Sequence, residues 1–294
     1  MANTIAGANL AEIAQESLAG LSNLFAPLSA LTTDFSADIQ GAGESVTTRY
    51  PTQPVAADMA AGIKSASQDV TMTSATVSLN QHYGFTYGFT DVERSKSSIN
   101  LNNLFIEPAL QALGDKVFGD VWNLITAANF STSSTIEAAD FGRDDIADLN
   151  ATLTNGKAPQ AGRSIFMNPT YYSSLVKTLN TAEFPGFINE KAEAMVPRVA
   201  KFDVYETNLA DKNGAEKLEA FAFQRNSLLM AGRGVDTELA EQAGIEVETV
   251  VIPGLGLPVQ FRRFYDNEGV LYYNCQLLYG VAKGVDYGVR VVSA

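Results

Sequence analysis

Side chains able to attack, titrate near neutrality or bind a metal are scarce in this sequence. Its 294 residues hold one histidine, His82, and one cysteine, Cys275. One histidine cannot make a zinc site, which takes four ligands in a tetrahedral array, and no cysteine lies near it in sequence. A histidine-activated serine is also unsupported, because no Gly-x-Ser-x-Gly elbow is present to hold the nucleophile. His82 is expected to be a partly buried strand residue. Cys275 sits in the apolar run from Leu271 to Tyr279 and reads as a small core residue. A single cysteine rules out an intramolecular disulfide and fits a cytosolic compartment.

Two glycine clusters, Gly232-Arg233-Gly234 and Gly254-Leu255-Gly256, could suggest phosphate binding. Neither has the spacing of a phosphate-cradling loop that opens a helix. The run Pro253 to Pro258 reads instead as a tight exposed loop between strands. Asp144, Asp145 and Asp148 lack the alternating spacing and glycine of a calcium loop, and read as a solvated helix face. Asn129-Phe130-Ser131 and Asn150-Ala151-Thr152 match the glycosylation sequon, which is idle in a cytosolic chain. No catalytic, metal or cofactor-binding residues are predicted.

Composition narrows the classes further. The chain is 46% hydrophobic and 18% charged, enough for one large or two modest packed domains. No apolar run approaches the roughly 18 residues of a membrane span, and Met1 to Leu10 lacks a basic and apolar leader pattern. A net charge of −13 argues against a nucleic-acid reader, which needs a basic surface to displace counterions. Up to residue 60 the only basic side chain is Arg49.

The organising stretch runs from Val70 to Asn129. It opens with about twenty residues of strand-like alternation, read from a spacing of two. In the second half Tyr83, Phe85, Tyr87 and Phe89 alternate with Gly84, Thr86 and Gly88. Period two places the four rings on one face. Thr90-Asp91-Val92-Glu93 then has the S/T-x-x-E spacing of a capping box and predicts a turn into helix. Ile106, Leu110, Leu113, Val117, Val121, Leu124 and Ala128 recur in steps of three and four, an apolar stripe on a helix of about seven turns. Asn100 can cap a first turn, and Pro108 either begins the main body or kinks it.

The flanks are simpler. Residues 1–45 carry a broken helical signal (Leu10, Ile13, Leu18, Leu21, Leu24, Phe25, Leu28) that suits an arm packed on a neighbour or a helix docked on its own core. Val46 to Tyr50 reads as a strand, Thr52 to Ser67 as a loop and Val70 to Leu79 as the returning strand. Such a hairpin has little core of its own and needs something to lie on. Beyond Asn129, short helices are predicted at Asp144–Leu153, Pro169–Leu179 and Asp236–Ala243. Strands are predicted at Ser164–Met167, Val204–Glu206, Ala220–Phe223, Ser227–Ala231 and Val289–Val292. Asn213-Gly214 predicts a hairpin turn, and so does Asp266 to Gly269 between the strands Val259–Tyr265 and Val270–Tyr279.

In this order, these pieces resemble the major capsid proteins of tailed double-stranded-DNA bacteriophages, with the HK97-like fold. The resemblance starts with Ala14-Gln15-Glu16-Ser17-Leu18, Gly43-Glu44-Ser45-Val46 and Arg49-Tyr50-Pro51, which look like an arm entering an extended loop. Val77-Ser78-Leu79-Asn80, His82 and Phe89-Thr90-Asp91-Val92-Glu93 look like the strand leading to a spine helix, and Glu107-Pro108-Ala109 like the place where that helix begins. Gly162 to Pro169, Phe202 to Asn208 and Leu278-Tyr279-Gly280-Val281 complete it.

The resemblance implies an α+β fold in four parts: an N-terminal arm (1–45), an extended β-hairpin loop (46–96), a peripheral domain with the spine helix (97–160 and 245–284) and an axial domain (161–244 and 285–294). It implies self-assembly into pentamers and hexamers of an icosahedral shell enclosing viral DNA without sequence-specific binding. A separate scaffolding protein, a portal and decoration proteins are the implied partners, with assembly in the host cytoplasm, no cofactor and no membrane. The candidate contacts between subunits are Leu18, Leu21, Arg49, Tyr50, Lys64, Arg94, Pro253 and Leu255. Crosslinking is not predicted, although Lys64 lies in the loop-tip region. Two other readings stay open: an encapsulin-like compartment shell around an enzyme cargo, and a cytosolic α+β enzyme or ligand-binding domain.

Overall fold

A computed structural model describes residues 25–33, 45–51, 56, 69, 71–96, 101–179, 198–210, 214–252, 255–266 and 269–293. Two larger sheets and a separate hairpin carry the chain, with few helices. The first strands are β1 (Ser45–Pro51), β2 (Met72–Ser78) and β3 (Gln81–Phe89). Helices α1 (Asp91–Lys96) and α2 (Leu101–Asn123) follow, then β4 (Ser133–Thr135), α3 (Arg143–Asn155), β5 (Arg163–Met167) and α4 (Pro169–Thr178). After these come β6 (Arg198–Val199), β7 (Phe202–Glu206), β8 (Leu218–Gln224), β9 (Leu228–Arg233) and α5 (Glu238–Gln242). The chain closes with β10 (Glu246–Val251), β11 (Pro258–Tyr265), β12 (Leu271–Lys283) and β13 (Gly288–Val292).

The five-stranded sheet is ordered β10-β11-β12-β3, with β9 paired to the far end of β12. Its core face follows from period two: Leu271, Tyr273, Cys275, Leu277 and Tyr279 are buried, while Tyr272, Asn274 and Leu278 between them are half-buried. Against this face lies α2, through Leu110, Leu113, Val117, Phe118, Val121 and Trp122. Each such side chain contributes about 1.5–3 kcal/mol on full burial. That apolar seam explains why α2 continues through Pro108, whose ring costs a helix roughly 3 kcal/mol. The predicted extension to Ala128 fails. The helix ends at Asn123, where Leu124 and Ile125 donate back three residues and the Asn129 amide bonds the Leu124 carbonyl at 2.8 Å.

The six-stranded sheet is ordered β4-β13-β8-β5-β7-β6. Both faces are covered, so β5 and β8 are buried at every position. Ile165, Met167, Ala220 and Ala222 face α3 and α4, whereas Phe166, Phe221 and Phe223 join the core of α2. The predicted hairpin at Asn213-Gly214 is not formed. Here β7 runs parallel to β5 on one side and β8 antiparallel to it on the other, so β5 separates the two strands. Asn213 lies outside the described residues, and Gly214–Glu216 is a 3-10 turn.

The fully buried Arg163 starts β5, and among the described residues its hydrogen-bond partners include no carboxylate. Its guanidinium donates to the carbonyls of Pro159 (2.9 Å), Ala158 (2.7 Å) and Asn150 (3.1 Å), to the Thr154 hydroxyl (3.0 Å) and to the Asn150 side chain. These acceptors gather at the C-terminal end of α3, where the helix dipole favours a cation.

Residues 25–33 settle part of the N-terminal question. Phe25, Leu28 and Leu31 are buried in the chain's own core. Thr32 locks them to β9, donating from its amide to Leu228 and accepting at its carbonyl from Met230 at 3.0 Å.

Candidate functional site

The twenty-residue alternation does not form one continuous strand. The chain breaks at Leu79-Asn80, where the Asn80 amide bonds the Ser78 carbonyl at 3.0 Å. Before the break, β2 pairs among the described residues with β1 alone, from Ser45 opposite Ser78 to Pro51 opposite Met72. After it, β3 pairs with β12 from Gln81 opposite Tyr279 to Phe89 opposite Leu271. The result is a hairpin rooted on the body of the protein, with a different environment on each face.

Cross-strand partners share a face, so Val46 and Val77 point together into the body, where they pack on Leu229 and Ala231. Thr48, Tyr50 and Ala75 continue that face and are half-buried. Burial raises the Tyr50 phenol above its ordinary range, opposed by a hydrogen bond with Thr48. The opposite face carries Ser45, Thr47, Arg49 and Pro51 with Ser78, Thr76, Ser74 and Met72, all exposed. The root is tight: a methyl at Gly280 would lie 2.0 Å from the Ser78 carbonyl oxygen, so only glycine admits the hairpin backbone there.

A second feature ties the root to the long helix. Asp120 of α2 ion-pairs with Lys116 one turn earlier and accepts a 2.6 Å hydrogen bond from the Tyr279 hydroxyl of β12. Lys116 lies over the Tyr83 ring at 4.5 Å, and the Tyr83 and Tyr279 rings are 6.4 Å apart. The Asp120 hydrogen bond raises the Lys116 pKa, and burial followed by Asp120 pushes the Tyr279 phenol above its ordinary range. At the far end of β3 the predicted capping box is present. Thr90 N–H donates to the Glu93 carboxylate at 3.0 Å, and Glu93 N–H to the Thr90 hydroxyl at 3.3 Å.

The residues singled out for chemistry are placed as follows. His82 is exposed, not partly buried, because it lies on the face of β3 opposite the rings; its Nε2 is 3.2 Å from the Gln276 amide. Cys275 is buried, and desolvation pushes its thiol far above the ordinary range. Asp145 caps α3 by accepting from Gly142 N–H at 2.8 Å. Among the described residues no group of three or more His, Cys, Asp or Glu is placed to hold a metal, and no helix is long and apolar enough to cross a membrane.

Of the candidate contacts, Arg49 and Tyr50 lie on opposite faces of β1, exposed and half-buried respectively. Arg94 is in α1, with its side chain outside the described residues, as are Leu18, Leu21, Lys64 and Pro253. The exposed loop expected around Leu255 is a correction: Leu255 is 3% exposed and, with Leu257, belongs to the core that α2 shares with the five-stranded sheet. Lys116 and Asp120 were not singled out, and Tyr279 and Gly280 were named only as part of a strand, not as candidate site residues. Only Gly280 has a local signal, a glycine inside the apolar run Leu277 to Val281.

No family model matches the sequence, and no curated protein matches it. Solved structures do match in fold. A structure from Mycobacterium phage Che8 superposes with a TM-score of 0.60 at 15% identity, covering 89% of each chain. The capsid of cyanophage P-SCSP1u gives 0.59 at 12% identity over 86% of this chain and 84% of its own. The capsid of Myoviridae phage XM1 gives 0.56 at 12% identity over 92% of each chain. The chain has the fold seen in these phage capsids.

Proposed function

We propose that this chain is a major capsid protein of a tailed double-stranded-DNA bacteriophage, assembling into the pentamers and hexamers of an icosahedral shell. The observation that carries the reading is the fold shared with phage capsids along nearly the whole of both chains. The hairpin supports it, because a two-stranded element with one exposed face gains its burial from something outside its own body. The shells it resembles belong to phages, which favours a viral capsid over an encapsulin-like compartment.

In this reading the HK97-like parts are an arm at 1–45, an extended loop at 46–96, a peripheral part at 97–160 and 245–284, and an axial part at 161–244 and 285–294. The two larger sheets support the division between the last two. Three elements bridge them, since α3 packs on the six-stranded sheet, β4 pairs with β13 within it and β9 pairs with β12. A scaffolding protein, a portal and decoration proteins are the partners in this proposal, with assembly in the host cytoplasm. DNA is enclosed without sequence-specific contact, in keeping with the −13 net charge. Electron microscopy of the full chain, alone and with a scaffolding protein, tests the proposal. Closed shells are expected; uniform monomers at high concentration in both samples would overturn it.

A further inference from the structure

On the face of the five-stranded sheet turned away from α2, long polar side chains crowd around one buried amide. Gln276 is 7% exposed and lies opposite Gln260 of β11 on one side and Gly84 of β3 on the other. Gly84 offers no side chain there, so two diagonal neighbours lean in, His82 from β3 and Arg262 from β11. One end of the Gln276 amide lies 3.2 Å from His82 Nε2. The other end lies 3.0 Å from Gln260 Oε1, and 2.8 and 2.9 Å from Arg262 Nη2 and Nε.

These neighbours make opposite demands. The Gln260 amide is fixed by Val235, whose N–H donates to its oxygen at 3.2 Å and whose carbonyl accepts from its nitrogen at 2.7 Å. Gln260 Oε1 therefore calls for the NH2 group of Gln276, whereas the Arg262 guanidinium, a donor only, calls for the oxygen. Whichever group faces this pair, the other faces His82. With the NH2 toward Gln260, His82 donates from Nε2, and Arg262 is left without an acceptor among the described residues. With the oxygen toward Arg262, two hydrogen bonds hold the guanidinium fork, and His82 accepts at Nε2. A protonated imidazole donates from both nitrogens and cannot accept.

We infer that His82 and Gln276 form a proton switch on Arg262. Neutral His82 lets the Gln276 oxygen hold the guanidinium on the sheet, and protonation of His82 turns the amide and releases it. The other titratable groups on this face are Arg233, which flanks Leu278 on the side away from His82, and Tyr272. The outward positions of β10 are Val247, Thr249 and Val251. The hairpin's inward face brings Tyr50, and the Val235 segment brings Asp236, which accepts from the Glu238 amide at 3.0 Å. No Asp or Glu occupies an outward position of β3, β9, β11 or β12, so these strands offer no anion to hold Arg262 once it leaves the amide. Every group of the switch belongs to one copy, and the inference goes beyond the shell reading.

His82 is the only histidine of the chain, and histidine changes charge between about pH 5 and 8. Nitrogen-15 NMR of the soluble full chain reads hydrogen exchange at the Arg262 Nε–H. Dividing by the rate at the exposed Arg49 in the same sample removes the intrinsic pH dependence. Protection of Arg262 is expected to be about tenfold lower near pH 5 than near pH 8; equal protection at both overturns the switch. His82→Phe, at an exposed position, neither donates nor accepts, and its ratio is expected to be the same at both ends of the range. A fall that persists in that variant assigns the effect to another group and overturns the role of His82. Gln276→Met removes both ends of the amide, so Arg262 should be unprotected throughout; retained protection would mean another acceptor and overturn the role of Gln276.

Discussion

The Tyr279 hydroxyl of β12 donates to the Asp120 carboxylate of α2 at 2.6 Å, joining the central strand of one sheet to the helix packed beneath it. The same carboxylate holds Lys116, which covers the ring of Tyr83 on β3. Sheet and helix are thereby tied next to the place where the hairpin leaves the body.

Tyr279→Phe keeps the buried ring and removes the hydroxyl, so it should cost about 1–2 kcal/mol in urea unfolding. The alkaline limb should change too. The unfolded phenol ionises near its ordinary value of 10.0, while the folded one is held protonated above it. Stability is therefore full below pH 10.0 and falls as pH rises above it, and Tyr171, pushed up to about 12, acts in the same direction. Unfolding midpoints from pH 8 to 11, as about that window, should decline less steeply in Tyr279→Phe; an unchanged slope counts against the assignment.

Gly280→Ala should disturb the hairpin more than the sheet. Its methyl would meet the Ser78 carbonyl at 2.0 Å, so backbone must move, at about 1–3 kcal/mol for overpacking. A folded monomer by circular dichroism, with faster proteolysis across β1 and β2, is the expected result. A hairpin as protected as in the parent chain would contradict it.

Arg163→Met removes the guanidinium donor from the Asn150, Ala158 and Pro159 carbonyls and from the Thr154 hydroxyl, and of these residues Ala158 is buried. An uncompensated buried acceptor costs about 1–3 kcal/mol, so a loss of that order is expected in denaturant titration. Arg163→Lys should restore little, because an ammonium cannot reach acceptors spread around a planar fork.

Phe85→Asp and Met72→Asp separate folding from assembly. Phe85 packs against the core of α2, and a carboxylate there should prevent folding. Met72 is exposed at the hairpin end, so its aspartate variant should keep the parent monomer's melting temperature and lose shells in electron microscopy. Equal melting losses in both would contradict the placement of the hairpin.

What the sequence determined by itself rests on interactions a few residues long. The Thr90–Glu93 box spans one turn of helix, and the β11–β12 hairpin turns at Asp266 to Gly269, with Gly269 in the left-handed region at φ 81°. The Leu110 to Val121 stripe and the wholly buried β5 were likewise legible as periodicity. Tertiary structure decided which edge each strand would use. Alternation marks the buried face of β2 and β3 alike, yet says nothing of the backbone partner, so the break at Leu79-Asn80 was hidden. The same gap made β7 and β8 look like a hairpin and missed β4 and β10. Leu255, between glycines in a proline-flanked run, has the local composition of an exposed loop, and only residues distant in sequence, gathered in the core it shares with α2 and β12, make it core. A side chain's polarity is written in one position; what covers it is supplied by residues far along the chain.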